Sequence, residues 1–147
     1  MKKITLTLIA SIAILFVSCD ESDDAVTSKK VDPAARISPP AWIVGNWKVS
    51  GASIKGINFS KDDMCQVLVN DGNLCYKEKI TIYNNAFLKN IVKETTTAAN
   101  YDIEIILNDE IVEYHFEMID SLNVNWNVLD KEDPNIIKNV YRMSRPK

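Results

Sequence analysis

Glycine, histidine and cysteine are scarce in this chain, with four, one and three copies among 147 residues. So little glycine leaves no material for a phosphate-cradling loop, and neither a nucleophile elbow nor a Cys-x-x-Cys pair occurs. The one histidine, His115, stands between Glu113 and Glu117 at a spacing of two, which places all three on one face of an extended strand. Zinc sites take three or four well-placed ligands, and alternating charge on a strand face is ordinary, so no metal site is expected. The stretch Asn70-Asp71-Gly72-Asn73 lacks the downstream carboxylate of a calcium loop and reads as a turn. Excess positive charge is missing too: 17 basic side chains face 20 acidic ones, the reverse of what a nucleic-acid surface needs. No acid, base and nucleophile converge in the pattern. The expectation is a non-enzymatic protein with no catalytic residue and no cofactor.

What is present begins at the N-terminus. Lys2 and Lys3 precede an apolar run from Ile4 to Val17, and Ser18 stands before Cys19. The run is shorter than the about 20 residues that span a bilayer and has the order of a secretory signal. Phe16-Val17-Ser18-Cys19 resembles a bacterial lipobox. That resemblance implies that residues 1–18 are removed and that Cys19 becomes the lipidated first residue, anchoring the chain to the outer membrane without spanning it. Removing residues 1–18 takes away two lysines only, leaving 15 basic and 20 acidic side chains, a net of −5. The acidic run Asp20-Glu21-Ser22-Asp23-Asp24 resembles the surface-export signals of some Gram-negative lipoproteins, and it equally suits a solvated tether. Cell surface and periplasmic face therefore both stay open. Residues 19–41, rich in proline and polar side chains, read as the lipidated cysteine followed by a flexible linker.

Residues 42–147 are expected to form one all-β domain. Val112, Tyr114, Phe116 and Met118 alternate against Glu113, His115 and Glu117, and Leu122, Val124, Trp126 and Val128 alternate against three asparagines, with a tight turn around Asp120 and Ser121. Tyr101, Ile103, Ile105 and Leu107 repeat the period upstream. "IVKETTT" (91–97), "IIKNVYRMS" (136–144) and "YKEKITIYN" (76–84) read as further strands, the last with Tyr76, Ile80 and Ile82 on one side. No helical apolar period of ten residues or more stands out. About eight short strands in sequence predict an antiparallel up-and-down meander that closes into a small barrel, with a β-sandwich as the alternative.

Gly45-Asn46-Trp47 opens the first strand and "YRMSR" (141–145) ends the last, and in a closed barrel these two are neighbours. The arrangement resembles the lipocalin and calycin families, most closely the short lipocalin-like domains of bacterial lipoproteins. The resemblance implies that Trp47 plugs one barrel end, that Gly45 lets the chain turn in, and that a basic residue of the last strand packs over the tryptophan ring. Arg142 is the expected cation and Arg145 the alternate. It also implies binding of a small apolar ligand at the mouth opposite Trp47, with Tyr101, Tyr114 and Trp126 as candidate wall residues. An eight-stranded barrel is only just wide enough for its own side chains, so a filled core, with the outer surface serving a protein partner in an outer-membrane complex, is the rival reading.

Cys65 and Cys75 are the cysteines that remain once Cys19 is lipidated, and an oxidising compartment favours a bridge between them. A two-residue Asp71-Gly72 turn would place Cys75 opposite Leu68, roughly 10 Å along the strand from Cys65, beyond the about 7 Å that a disulfide tolerates. A bridge therefore requires a wider turn, and a tight turn leaves two thiols. The bridge is the expectation.

Overall fold

The computed structural model describes residues 35–147; the signal segment, Cys19 and most of the linker lie outside them. The elements follow in the order β1 (Gly45–Ser50), β2 (Ile54–Phe59), β3 (Met64–Leu68), β4 (Asn73–Cys75), α1 (Tyr76–Asn85), β5 (Asn90–Thr96), β6 (Asn100–Leu107), β7 (Glu110–Met118), β8 (Asn123–Leu129) and β9 (Ile137–Ser144). All nine strands join one antiparallel sheet in the order β4-β3-β2-β1-β9-β8-β7-β6-β5. The first and last strands are neighbours, with Lys48 opposite Ser144 and Val49 opposite Met143.

One continuous sheet, rather than two facing sheets, makes the core by curling. Phe59 on β2 meets Phe116 on β7 edge-on at 5.2 Å, although three strands separate β2 from β7. Gln66 on β3 donates to the Tyr114 hydroxyl on β7. The curl stops short of closure, because β4 and β5 are both edge strands. Two pieces lie along that seam. One is α1, and the other is the segment from Ala35 to Ser38, whose Ser38 amide donates to a Glu94 carboxylate oxygen on β5 at 2.9 Å. The result is a half-barrel in which a helix and a strap stand where barrel strands would meet.

Beyond the closure of the barrel, which the edge strands β4 and β5 leave incomplete, further sequence expectations need correction here. Residues 76–84 form a helix, not a strand. The buried pair is Tyr76 and Ile80, four residues apart and so on one helical face, while Ile82 is 57 % exposed. The Ile80/Ile82 alternation that suggested a strand spans two residues only, and Lys77-Glu78-Lys79 favour a helix. The linker expected to reach residue 41 ends sooner: Ile37 is 2 % exposed and belongs to the same core as Trp47 and Phe116. An apolar side chain placed between prolines and polar residues gives no period by which to recognise it.

Of the inward set read for β6 and β7, Tyr101, Ile103, Ile105, Leu107, Tyr114 and Phe116 are buried, Val112 and Met118 are half-buried, and Ile106 on the other face of β6 is covered as well. Leu122 departs from its expected inward face because β8 starts at Asn123, and Leu122 lies in the turn. That turn is wider than two residues; the Asp120 carboxylate accepts from the Leu122 amide at 2.7 Å and from the Asn123 side chain, which holds its pKa below the ordinary carboxylate value. Among the described residues no helix is long and apolar enough to cross a membrane.

Candidate functional site

At the end of the half-barrel where β1 begins, Trp47 is buried and its Nε1 donates to the Ile43 carbonyl at 2.6 Å. The guanidinium of Arg145 lies 4.5 Å from the tryptophan ring centroid. Its Nη2 donates to the carbonyls of Trp42 and Val44, and its Nε to that of Ser121, at 3.2–3.3 Å. The cation is therefore Arg145 and not Arg142. Strand parity decides it: Met143 faces the core, so residues 141 and 145 share its side, and Arg142 points outward and is exposed. Gly45 has φ +132°, and a Cβ there would stand 2.5 Å from Arg145 Nη1. Its glycine is needed for the backbone angle and for room for the guanidinium. Gly56 on β2 is a second close approach, with a hypothetical Cβ 2.4 Å from the Trp47 carbonyl oxygen.

The interior is filled by rings. Tyr114 and Phe116 lie parallel at 5.9 Å, Tyr101 and Phe116 at 6.1 Å, and Phe59 stands edge-on to both Phe116 and Tyr101. Trp126 is half-buried, tilted between Tyr114 at 5.6 Å and Tyr141 at 5.0 Å. The three expected wall residues thus share one aromatic cluster, with Tyr101 and Tyr114 in the core and Trp126 at its rim. The hydroxyls are matched internally. Tyr76 and Tyr114 hydroxyls meet at 2.6 Å, Gln66 donates to Tyr114, and Tyr101 donates to Glu94.

Burial pushes the Tyr101 and Tyr114 phenols far above their ordinary pKa, helped at Tyr101 by Glu94 and at Tyr114 by Tyr76; burial raises Tyr76 as well. In the unfolded chain these phenols ionise near pH 10 while the folded chain keeps their protons. Stability is then at its plateau below about pH 10 and falls above it, by about 1.4 kcal/mol per pH unit for each such tyrosine. Urea unfolding between pH 8 and 11 should show that decline, and Tyr101→Phe should make it shallower. An unchanged slope in the variant would assign the decline to other groups.

Cys65 and Cys75 are directly opposed on β3 and β4 and joined by a disulfide, their Cα atoms 4.0 Å apart. The turn is three residues long, Val69–Asp71, closed by the Leu68 amide donating to the Gly72 carbonyl at 2.8 Å. Asp71, at φ +63°, takes the left-handed position that the neighbouring Gly72 invited.

A groove of about 690 Å³ lies on the outer face of β5, β6 and β7, bordered by Val128 and Leu129 at the end of β8 and by Asp130, Lys131 and Pro134 of the β8–β9 connection. His115 Nδ1 faces an Asp102 carboxylate oxygen at 3.0 Å across the β6–β7 pairing, and Lys93 donates to both Glu104 oxygens at 3.0 Å. His115 Nε2 and Asn127 Oδ1, on paired residues of β7 and β8, are buried without a hydrogen-bond partner. His115, Glu113 and Glu117 are not gathered as ligands. Among the described residues the one cluster at ligand spacing is Asp63, Cys65 and Cys75, and its sulfurs are bonded to each other. The partnership of Asp102 with His115 depends on strand register, which a single strand's alternation does not give. A second groove, of about 450 Å³, separates Ala35–Ser38 from α1.

Comparison with protein-family models, curated proteins and solved structures returns no match for this chain.

Proposed function

We propose that this chain is a lipid-anchored protein of the bacterial outer membrane, with the lipid on Cys19, whose lipocalin-like β domain works without catalysis as an interaction module. It presents its outer surface, with the His115 groove at its centre, to an envelope partner. The observation that carries this reading is the interior: Tyr101, Tyr114 and Phe116 fill it, and the two tyrosine hydroxyls are paired within the domain, with Glu94 and with Tyr76 and Gln66, so binding there would require opening a satisfied network. The lipocalin likeness rests on Gly45, Trp47 and the cation over its ring, together with a last strand paired to the first. The rival, a barrel holding a small apolar molecule, would have to use the rim at Trp126.

Native mass spectrometry of the protein extracted from membranes tests this reading. The expected species is the chain from Cys19 with lipid added and no small molecule retained, and Cys19→Ser should abolish the lipid and release the protein from the membrane fraction. A photo-crosslinking side chain at Glu113 should give a discrete adduct in the envelope, and one at Lys48 should not. A reproducible small-molecule mass that disappears in a folded Trp126→Ala variant would replace the interaction reading with the ligand-binding one.

A further inference from the structure

We propose that the corner joining α1 to β5 is a membrane-seating knob, in which Phe87 and Leu88, with Ile82 beside them on α1, enter the headgroup boundary of a lipid bilayer. The inference rests on the lipid-anchor reading above and adds which part of the domain touches the membrane.

Backbone geometry is the first support. Helix α1 closes with the Phe87 amide donating to the Asn84 carbonyl at 3.1 Å and the Leu88 amide donating to that of Tyr83 at 2.9 Å. This pattern places Phe87 at the left-handed position after the helix, φ +55°, where glycine is the usual residue. A side chain there strains the backbone. Phe87 is nevertheless 89 % exposed, so it gains nothing from the core in return. An aromatic that is strained and unburied contributes little to the domain's own stability, and its use lies outside the domain. Leu88 and Ile82 are exposed as well and extend the apolar surface.

Charge is the second. From Lys79 to Lys93 there is no carboxylate, and three lysines occur, in a chain where acids outnumber bases. The carboxylates brought nearest by backbone pairing are Asp109 and Glu110, in the turn whose Asn108 amide donates to the Lys89 carbonyl at 2.7 Å. Exposed Phe and Leu flanked by lysine is the composition of segments that rest in a bilayer interface.

The place where the linker joins the domain is the third. Ala35–Ser38 face Ile80, Thr81 and Asn84 of α1 across a shared groove, so the described chain begins beside this helix. At most about 55 Å of chain separates Cys19 from Ala35, and α1 is about 15 Å long. The point from which Cys19 is tethered therefore lies on the side of the domain that carries α1 and, just past its C-terminus, Phe87.

The test uses the mature chain from Cys19, coupled through that thiol to a maleimide phospholipid in phosphatidylcholine vesicles; Cys65 and Cys75 are bridged and do not react. The added emission of the F87W variant should be quenched by lipids brominated near the headgroups, matching a depth of about 5–10 Å. An I119W variant, placed in the turn at the opposite end of the sheet, should be quenched far less. Both variants should unfold in urea like the parent. Equal quenching at the two positions, or none at position 87, overturns the proposal, and protection of F87W by a co-purifying protein in vesicles that do not quench it would give the corner to a protein partner instead. Because the coupling is chemical, the result does not depend on cellular lipidation of Cys19, which the mass of the membrane-extracted protein reads separately.

Discussion

Replacing Trp47 with alanine is expected to lower the unfolding free energy by about 3–5 kcal/mol, the range for removing a fully packed tryptophan. The loss has three sources. The ring leaves a cavity at the end of the half-barrel, the Ile43 carbonyl loses its indole donor, and the Arg145 guanidinium loses the face it covers. Trp47→Phe should recover part of the loss, since it restores a ring for the cation but not the hydrogen bond. Arg145→Met and Arg142→Met separate the two arginines. The first removes the donors that serve the Trp42, Val44 and Ser121 carbonyls and should cost about 1.5–3 kcal/mol. The second touches an exposed side chain and should stay within about 0.5 kcal/mol of the parent. Urea unfolding followed by far-ultraviolet circular dichroism measures all four. If Trp47→Ala unfolded at the parent's urea concentration, or if Arg142→Met cost more than Arg145→Met, the plug-and-cation arrangement would not be what holds that end together.

The parts of this fold that were legible in sequence are those where one side chain's direction fixes the next. Alternation along β6 and β7 named the face that carries the buried rings, because a strand's period of two leaves no choice once one face is apolar, whereas of the four residues read as inward for β8 only Val124 is fully buried. The neighbourhood of β1 and β9 followed instead from expecting the meander to curl until its first and last strands meet. The Arg142 expectation failed although the signal was present: Met143 is the apolar residue of its pair, and its inward direction already sends Arg142 out and Arg145 in.

Other parts need information no single segment carries. Residues 76–84 hold two buried side chains, Tyr76 and Ile80, too few to distinguish a helix from a strand by period. Their helical form is settled by docking at the seam between the edge strands β4 and β5, where the helix packs on β3 and β5. The partnership of Asp102 with His115 and the bond between Tyr114 and Tyr76 depend on register and on curl respectively. Phe87 illustrates the limit from the other side, since nothing local announces a left-handed phenylalanine. Its position is dictated by where α1 must stop for the chain to enter β5.

Removing the disulfide, in a Cys65→Ser/Cys75→Ser variant, is expected to cost about 2–3 kcal/mol, the loop-closure value for a bridge between residues ten apart. The effect should be concentrated rather than shared. β4 is three residues long and is an edge strand, so among the described residues β3 is its only partner in the sheet. Cys75 is also the residue from which α1 starts, and no side chain caps that helix by hydrogen bonding from Cys75. The bridge therefore fixes the base of the element that covers the seam. Asp63 supplies independent support, its carboxylate accepting from the Met64 amide at 2.7 Å and from the Lys77 amide, in the first turn of α1, at 2.8 Å. With that anchor in place α1 should loosen rather than dissolve. Amide hydrogen exchange in the variant should accelerate over residues 73–85 while the β6–β7 amides keep their protection relative to the new global stability. Reductant should reproduce the loss in the parent chain and leave the variant unchanged. Uniform acceleration along the chain, or a parent chain indifferent to reductant, would mean that β4 and α1 are held by packing alone and that the seam does not depend on the bridge.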